Sequence, residues 1–303
     1  NCIGLQSFEI PDWITTIGSY AFSYCSGIKG TLTIPDNIIN LNVGAFSYCS
    51  GLTDIEISRN VTEINDYVFR SCTGLANLTI PDWITSIKNF VFSSCNGLKG
   101  TLIIPDNIVF LGNSVFSYCS RINGFQMSRN ISEISTNLFS YCTNIIQLHI
   151  PEWIVTIRSN AFSYCSGLRG TLTIPPTVKN VESFAFSHCT GFSILNISQN
   201  LTQINENTFE YCSGLVLLRI PESITSIGSY AFSNCISIRG QLLIPDSVTH
   251  IDKFAFSHCS AITGLKLGAG LNEISSNCFE FCSSLSSLTI PETIASINSN
   301  AFL

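Results

Sequence analysis

Apolar and polar positions recur in one order along the whole chain, about once every 23 residues. In residues 75–97 the order is Leu75, Leu78 and Ile80, then Ile84 and Ile87, then Val91, Phe92 and Cys95. Alternation around Leu78 and Ile80 predicts a strand with these two side chains inward and Asn77 and Thr79 outward. Pro81 removes a ladder donor and ends the strand. Ile84 and Ile87 predict a return to the interior through a short extended piece or a 3₁₀ turn. Val91, Phe92 and Cys95, at spacings of one and three, predict a single helical turn that packs Phe92 and Cys95 inward and closes at Gly97.

The cysteines give the pattern its metronome. Cys2, Cys25, Cys49, Cys72 and Cys95 are 23, 24, 23 and 23 residues apart, and Cys25, Cys95, Cys165 and Cys235 are each separated by 70. A fixed period of this size marks stacked units, each unable to bury its own apolar face. The predicted fold is an α/β repeat solenoid of about thirteen repeats of 23 or 24 residues, forming a single domain over residues 1–303. Three repeat types make up the 70-residue super-repeat. One type carries an extra residue at Lys29, Lys99, Arg169 and Arg239, beside glycines able to absorb it as a bulge.

The runs Ile-Pro-Asp-Trp-Ile-Thr-Ser-Ile (80–87) and Ala-Phe-Ser-Tyr-Cys-Ser-Gly-Leu (161–168) resemble the BspA-like leucine-rich repeat family, over the whole chain. The run 95–105 resembles its protozoan, trichomonad-like members most. The resemblance implies a right-handed curved solenoid with a concave parallel β-sheet and short helical or 3₁₀ turns on the convex side. It also implies a cell-surface or secreted location and adhesion to host-cell or matrix proteins. It carries over no catalytic residue. The chain begins at Asn1 without Met and inside a repeat, which reads as a segment of a longer chain with any targeting or anchoring sequence outside it.

Composition narrows the function. The net charge of −6 and the absence of a basic stripe exclude a nucleic-acid partner. No apolar run approaches the ~18 residues of a membrane helix, so no span is expected in this segment. No nucleophile–base pair, HExxH or GxxxxGK[ST] is present, and Gly264–Gly270 fills a turn slot, so neither an enzyme nor a cofactor is expected. The four histidines show no zinc-like cluster with the cysteines. One thiol per repeat stacks like on like, which predicts a ladder of buried free thiols rather than a disulfide framework; Cys278 joins it as packing.

Several columns remain on the surface. The residue after the proline slot reads Asp36, Arg59, Asp82, Asp106, Arg129 and onward. This predicts a solvated acidic edge relieved by acid–Arg pairing, with calcium binding as the alternative. Tyr118, Tyr141, Tyr164, His188 and Tyr211 precede successive cysteines. They stabilise one another by stacking or offer a platform to a sugar or peptide. Sequons occur at Asn60, Asn77, Asn130, Asn196 and Asn200, of which Asn60, Asn130 and Asn200 share one edge slot and are the candidate glycosylation sites.

The outward strand positions are the expected binding face. One column runs Ser7, Thr31, Asp54, Asn77 to Ile194 and Leu217; the other runs Glu9, Thr33, Glu56 to Arg219, Leu243 and Lys266. The early end is acidic and the late end basic. Ile194, Leu217 and Leu243, beside Arg219 and rimmed by Gln147 and His149, form the candidate anchor for a protein partner, a host surface or matrix protein. A structural alternative is self-association through open solenoid ends.

Overall fold

The computed structural model describes residues 2–6 and 9–303; Asn1, Ser7 and Phe8 lie outside the described residues. The chain forms two compact units, Asn1–Ile145 and Ile146–Leu303. Each is a stack of β-coils, and the coils build two series of parallel ladders.

The first ladder is built by the predicted strands, except that residues 75–80, where the pattern predicts a strand, and the equivalent residues 145–150 form no strand. In the first unit Gly30–Thr33 pairs with Leu52–Glu56, and Gly100–Ile103 with Ile122–Gln126. In the second, Gly170–Thr173, Phe192–Asn196 and Leu217–Leu218 pair in turn, as do Gly240–Leu243, Ile262–Lys266 and Ser287–Thr289. The second ladder is the extended return piece: Glu63–Ile64, Ser86–Ile87 and Phe110–Leu111 pair in parallel, and so do Gln203–Ile204, Ser226–Ile227 and His250–Ile251. The inward residues of these two-residue strands, such as Ile64 and Ile87, are buried, except Ile297 of the last coil.

The extra residue of the 24-residue coils is absorbed as the sequence predicts. Gly30, Gly100, Gly170 and Gly240 have φ between +72° and +82°, and the ladder register shifts at each of them. Gly97 acts differently from its predicted capping role. Its φ is not left-handed; it is glycine because a Cβ there would stand 2.5 Å from the Leu75 carbonyl oxygen of the coil below.

The third side of the coil departs from expectation. The described residues contain no helix. Instead, two residues four apart in each coil sit in the left-handed region: Tyr67 and Ser71, Phe90 and Ser94, Asn160 and Tyr164, Tyr230 and Asn234. The left-handed residues turn alternate peptides along the stack. Phe90, Phe92 and Ser94 donate their N–H groups to Asn113, Val115 and Ser117 of the next coil, at 2.9, 3.0 and 2.8 Å. The N–H groups between them close local turns, Ser93 to Phe90 and Cys95 to Phe92. A helix would satisfy the same groups internally and leave the coils bound only by side chains. Here the turn is a third inter-coil ladder.

The predicted inward set is nevertheless correct: Val91, Phe92 and Cys95 are fully buried. The phenylalanines stack face to face, with Phe69–Phe92 at 5.7 Å and Phe92–Phe116 at 5.8 Å in the first unit, and Phe186–Phe209 and Phe209–Phe232 at 5.6 and 5.4 Å in the second.

The proline-slot edge corrects a second expectation. Asp36 and Asp106 do not pair with the guanidinium groups of Arg59 and Arg129. Their carboxylates accept the backbone N–H of those residues, at 2.9 and 2.8 Å, and Asp246 does the same for Ala269 at 2.8 Å. An alanine serves as well because the donor is the main chain. The Arg59 guanidinium lies over the Trp83 ring, 5.6 Å from its centre. The aspartates thus satisfy orphan donors where the proline turn interrupts the ladder.

The two glycine roles are separable by substitution. Gly100→Ala has open space around the new Cβ, so only the left-handed backbone resists it, at about 1–2 kcal/mol. Gly97→Ala drives a methyl into a carbonyl that cannot retreat, and its loss is expected to be larger, about 3 kcal/mol or more. Urea unfolding of the two variants checks the order; equal midpoints would refute the close-approach role of Gly97.

Candidate functional site

The thiols are the densest array of reactive groups, and the packing closes them off. Every cysteine from Cys25 to Cys282 is buried and free; Cys2 is exposed. Apart from Cys25 and Cys278, the buried thiols repeat one contact, donating to the main-chain carbonyl of the phenylalanine one coil earlier: Cys95 to Phe69 at 3.1 Å, Cys119 to Phe92 at 3.1 Å, Cys189 to Phe162 at 3.1 Å, Cys235 to Phe209 at 3.2 Å. That carbonyl already accepts the N–H of its own coil's cysteine, so its second lone pair takes the thiol. Burial pushes the thiols of Cys49, Cys142 and Cys189 up to about 12. They stay protonated at neutral pH, and the thiolate needed for nucleophilic attack or metal binding is absent. Among the described residues no group of three acids, histidines or cysteines is arranged to hold a metal ion.

The aromatic column lies on the left-handed turn. Tyr118 and Tyr141 stack at 4.3 Å in the first unit, and Tyr164, His188 and Tyr211 at 4.2 and 4.5 Å in the second. Stacking covers one ring face of Tyr118 and Tyr211 and both faces of His188. Burial holds the His188 imidazole below its ordinary value. Its Nδ1 shares a 2.8 Å hydrogen bond with the Ser187 hydroxyl, which is buried, so this Ser–His contact reaches no substrate.

The sequon asparagines Asn60, Asn130 and Asn200 are exposed on the turn edge. Each donates one amide hydrogen to a main-chain carbonyl of the preceding coil, Asp36, Asp106 and Pro176, at 2.6–2.7 Å.

The outward strand positions are where varied side chains meet solvent. Register places Ile194 beside Leu217, and Leu243 beside Lys266. Leu217 and Leu243 are 43% and 54% exposed, unusual for leucine on a regular strand. Arg219 is exposed and Ile194 half-buried. A groove of about 620 Å³ opens along Leu217, Arg219, Leu243 and Lys266, with Glu222 and Asp246 on its proline-slot wall. Of the six residues predicted for this face, the structure gathers Leu217, Arg219 and Leu243 into the groove. Ile194 adjoins it through Leu217. Gln147 and His149 are exposed but two coils earlier than Ile194, with Thr171 and Thr173 between. Lys266, Glu222 and Gln241 complete the lining. Lys266 was visible in the same sequence column as Leu243; the wall residues were not, because their approach depends on how the proline turn folds back.

Comparison with known proteins agrees with this architecture. The model of the BspA type leucine-rich repeat region matches residues 1–123, 99–216, 132–240 and 215–303, which together span the chain. No curated protein matches. Among solved structures, a leucine-rich repeat protein from Bacteroides ovatus is similar at 22% identity and TM-score 0.61, over 92% of this chain and 83% of that one. A leucine rich cell surface protein from Faecalibacterium prausnitzii gives 22% and 0.62, over 91% and 82%. The pneumococcal vaccine antigen PcpA gives 16% and 0.57, over 95% and 80%. At these identities the likeness is one of fold. All three are bacterial, and nothing in them favours the protozoan members that the run 95–105 resembles.

The thiol ladder sets the alkaline limit of stability. The folded state holds these protons more tightly than the unfolded chain, so the thiol contribution is complete below about pH 9. It is lost as pH rises from there toward about 12, the value of Cys49, Cys142 and Cys189. The urea midpoint is expected to hold from pH 7 to about 9 and then fall steeply; a flat profile to pH 11 would contradict the ladder. At pH 8, Ellman's reagent is expected to find Cys2 promptly in the folded protein and all 14 cysteines only in denaturant.

Proposed function

The chain belongs to the BspA type leucine-rich repeat family, and from that premise we propose that it is a non-enzymatic, surface-displayed solenoid that binds a protein partner through its strand face. The partner is a host-cell surface or extracellular-matrix protein, and the role is adhesin-like. The observation that carries this reading is the pair of exposed leucines, Leu217 and Leu243, each on a parallel ladder and gathered with Arg219 along one groove of the strand face. Exposed apolar groups next to an arginine are the chemistry of a binding hot spot. A hydrogen-bonded ladder holds them rigid, so little ordering entropy is lost on binding.

The other surface columns supply less. The aromatic rings are largely stacked on one another, and Asp36, Asp106 and Asp246 on the acidic edge are engaged by the main chain. Asn60, Asn130 and Asn200 are the glycan acceptors of this reading where the chain passes through a eukaryotic secretory pathway. They lie on the turn edge, clear of the strand face.

The test is the double substitution Ile194→Asp plus Leu217→Asp, read in a binding assay on host-cell surfaces and matrix proteins. Two carboxylates in place of the apolar anchor are expected to cost about a hundredfold or more in affinity. Circular dichroism and the thermal midpoint are expected to stay within a few degrees of the parent. Binding that survives the double variant with the fold intact would remove this face from the function.

A further inference from the structure

We propose that the groove over Leu217 and Leu243 takes an extended acidic peptide segment, with carboxylates on either side of an apolar anchor. The proposal rests on reading the strand face as a protein-binding surface, and it names the chemistry of the partner.

Two unpaired cations frame the groove. Lys266 stands beside Leu243 in register, and Arg219 lines the same groove one coil earlier. Neither joins an ion pair or side-chain hydrogen bond among the described residues. From residue 147 to 289 the outward strand positions contain no acid: Gln147 and His149 are followed by threonine, isoleucine, asparagine, leucine, arginine, glutamine, glycine, lysine and serine. In a chain of net charge −6, this face is locally positive.

The groove is also polarised. Glu222 and Asp246 stand on its proline-slot wall, and Asp246 is already engaged with the Ala269 N–H. A ligand carboxylate is repelled from that wall and drawn to Arg219 and Lys266. The apolar anchor then sits between Leu217 and Leu243, above the nearly buried Leu218, Ile220 and Ile244.

The experiment pans a phage-displayed library of random dodecapeptides on the whole chain at low salt. Selected peptides are then measured by fluorescence polarisation against the wild type and two double variants. Peptides rich in Asp or Glu around a Leu, Ile or Phe are expected. Arg219→Glu plus Lys266→Glu is expected to weaken them about tenfold or more, and added salt to weaken wild-type binding in the same sense. Both positions are exposed and unpaired, so circular dichroism is expected to be unchanged. Neutral or basic peptides, or peptides that bind the charge-reversed variant as well as wild type, overturn the proposal. If those peptides are still lost with Leu217→Asp plus Leu243→Asp, the binding face stands and only the acidic partner falls. If they ignore both variants, or no peptide is enriched, the face falls as well.

Discussion

Everything in this molecule depends on a shortage of internal partners. A coil of 23 residues cannot satisfy its own main chain, because none of its three sides folds back on itself. Two sides solve this as parallel β ladders. The third uses paired left-handed residues, which aim every second N–H at the next coil. Left-handed backbone is costly for tyrosine and phenylalanine, on the order of 1 kcal/mol each. Stacking between like aromatics in successive coils, about 0.5–1.5 kcal/mol a pair, offsets it. The aromatic column is therefore a device of the fold.

The same shortage explains the cysteine. The phenylalanine carbonyl in each turn receives one hydrogen bond from its own coil and has a second lone pair facing a tight, dry space. Alanine would fit and leave the lone pair empty. Serine would supply a donor and add a strongly polar group that needs partners of its own. A thiol is small, apolar and a weak donor, so it fits without that demand. Raised thiol pKa values follow from the packing that makes the coil stable, and chemical silence at neutral pH comes with them.

Most of the architecture was legible because the period is. Spacing alone picked out the strands, the inward phenylalanines and cysteines, and the bulge glycines at 30, 100, 170 and 240. The left-handed turn was not legible from Val91-Phe92-Ser93-Ser94-Cys95, whose apolar spacing fits a helical turn equally well. Its signal lay in other copies: the slot of Phe90 holds Gly44, Asn137, Asn160, Asn207 and Asn277 elsewhere, the residues that tolerate positive φ. The aspartate contacts were misread for a related reason. A charge pattern names side chains, and the donor at Arg59 and Arg129 is main chain; Ala269 in the same slot was the clue. At the candidate site, the sequence columns put Leu217, Arg219 and Leu243 near one another, and the three line one groove. The wall made by Glu222 and Asp246 was not, because it depends on the path of a turn.

The division of labour between positions follows from these constraints. Inward residues are bound to their neighbours in the coils on both sides, so a change there must be matched along the stack. The left-handed columns are bound by backbone geometry, and the proline-slot aspartates by the donors they satisfy. Outward strand residues carry none of these duties: Thr171, Ile194 and Leu217 occupy equivalent sites in one ladder with unrelated chemistry. Substitution there changes the surface and leaves the main-chain inter-coil hydrogen bonds in place. The strand face is thus where recognition can vary at least cost to the fold, and an exposed Leu217 or Leu243 there has no folding role to account for it.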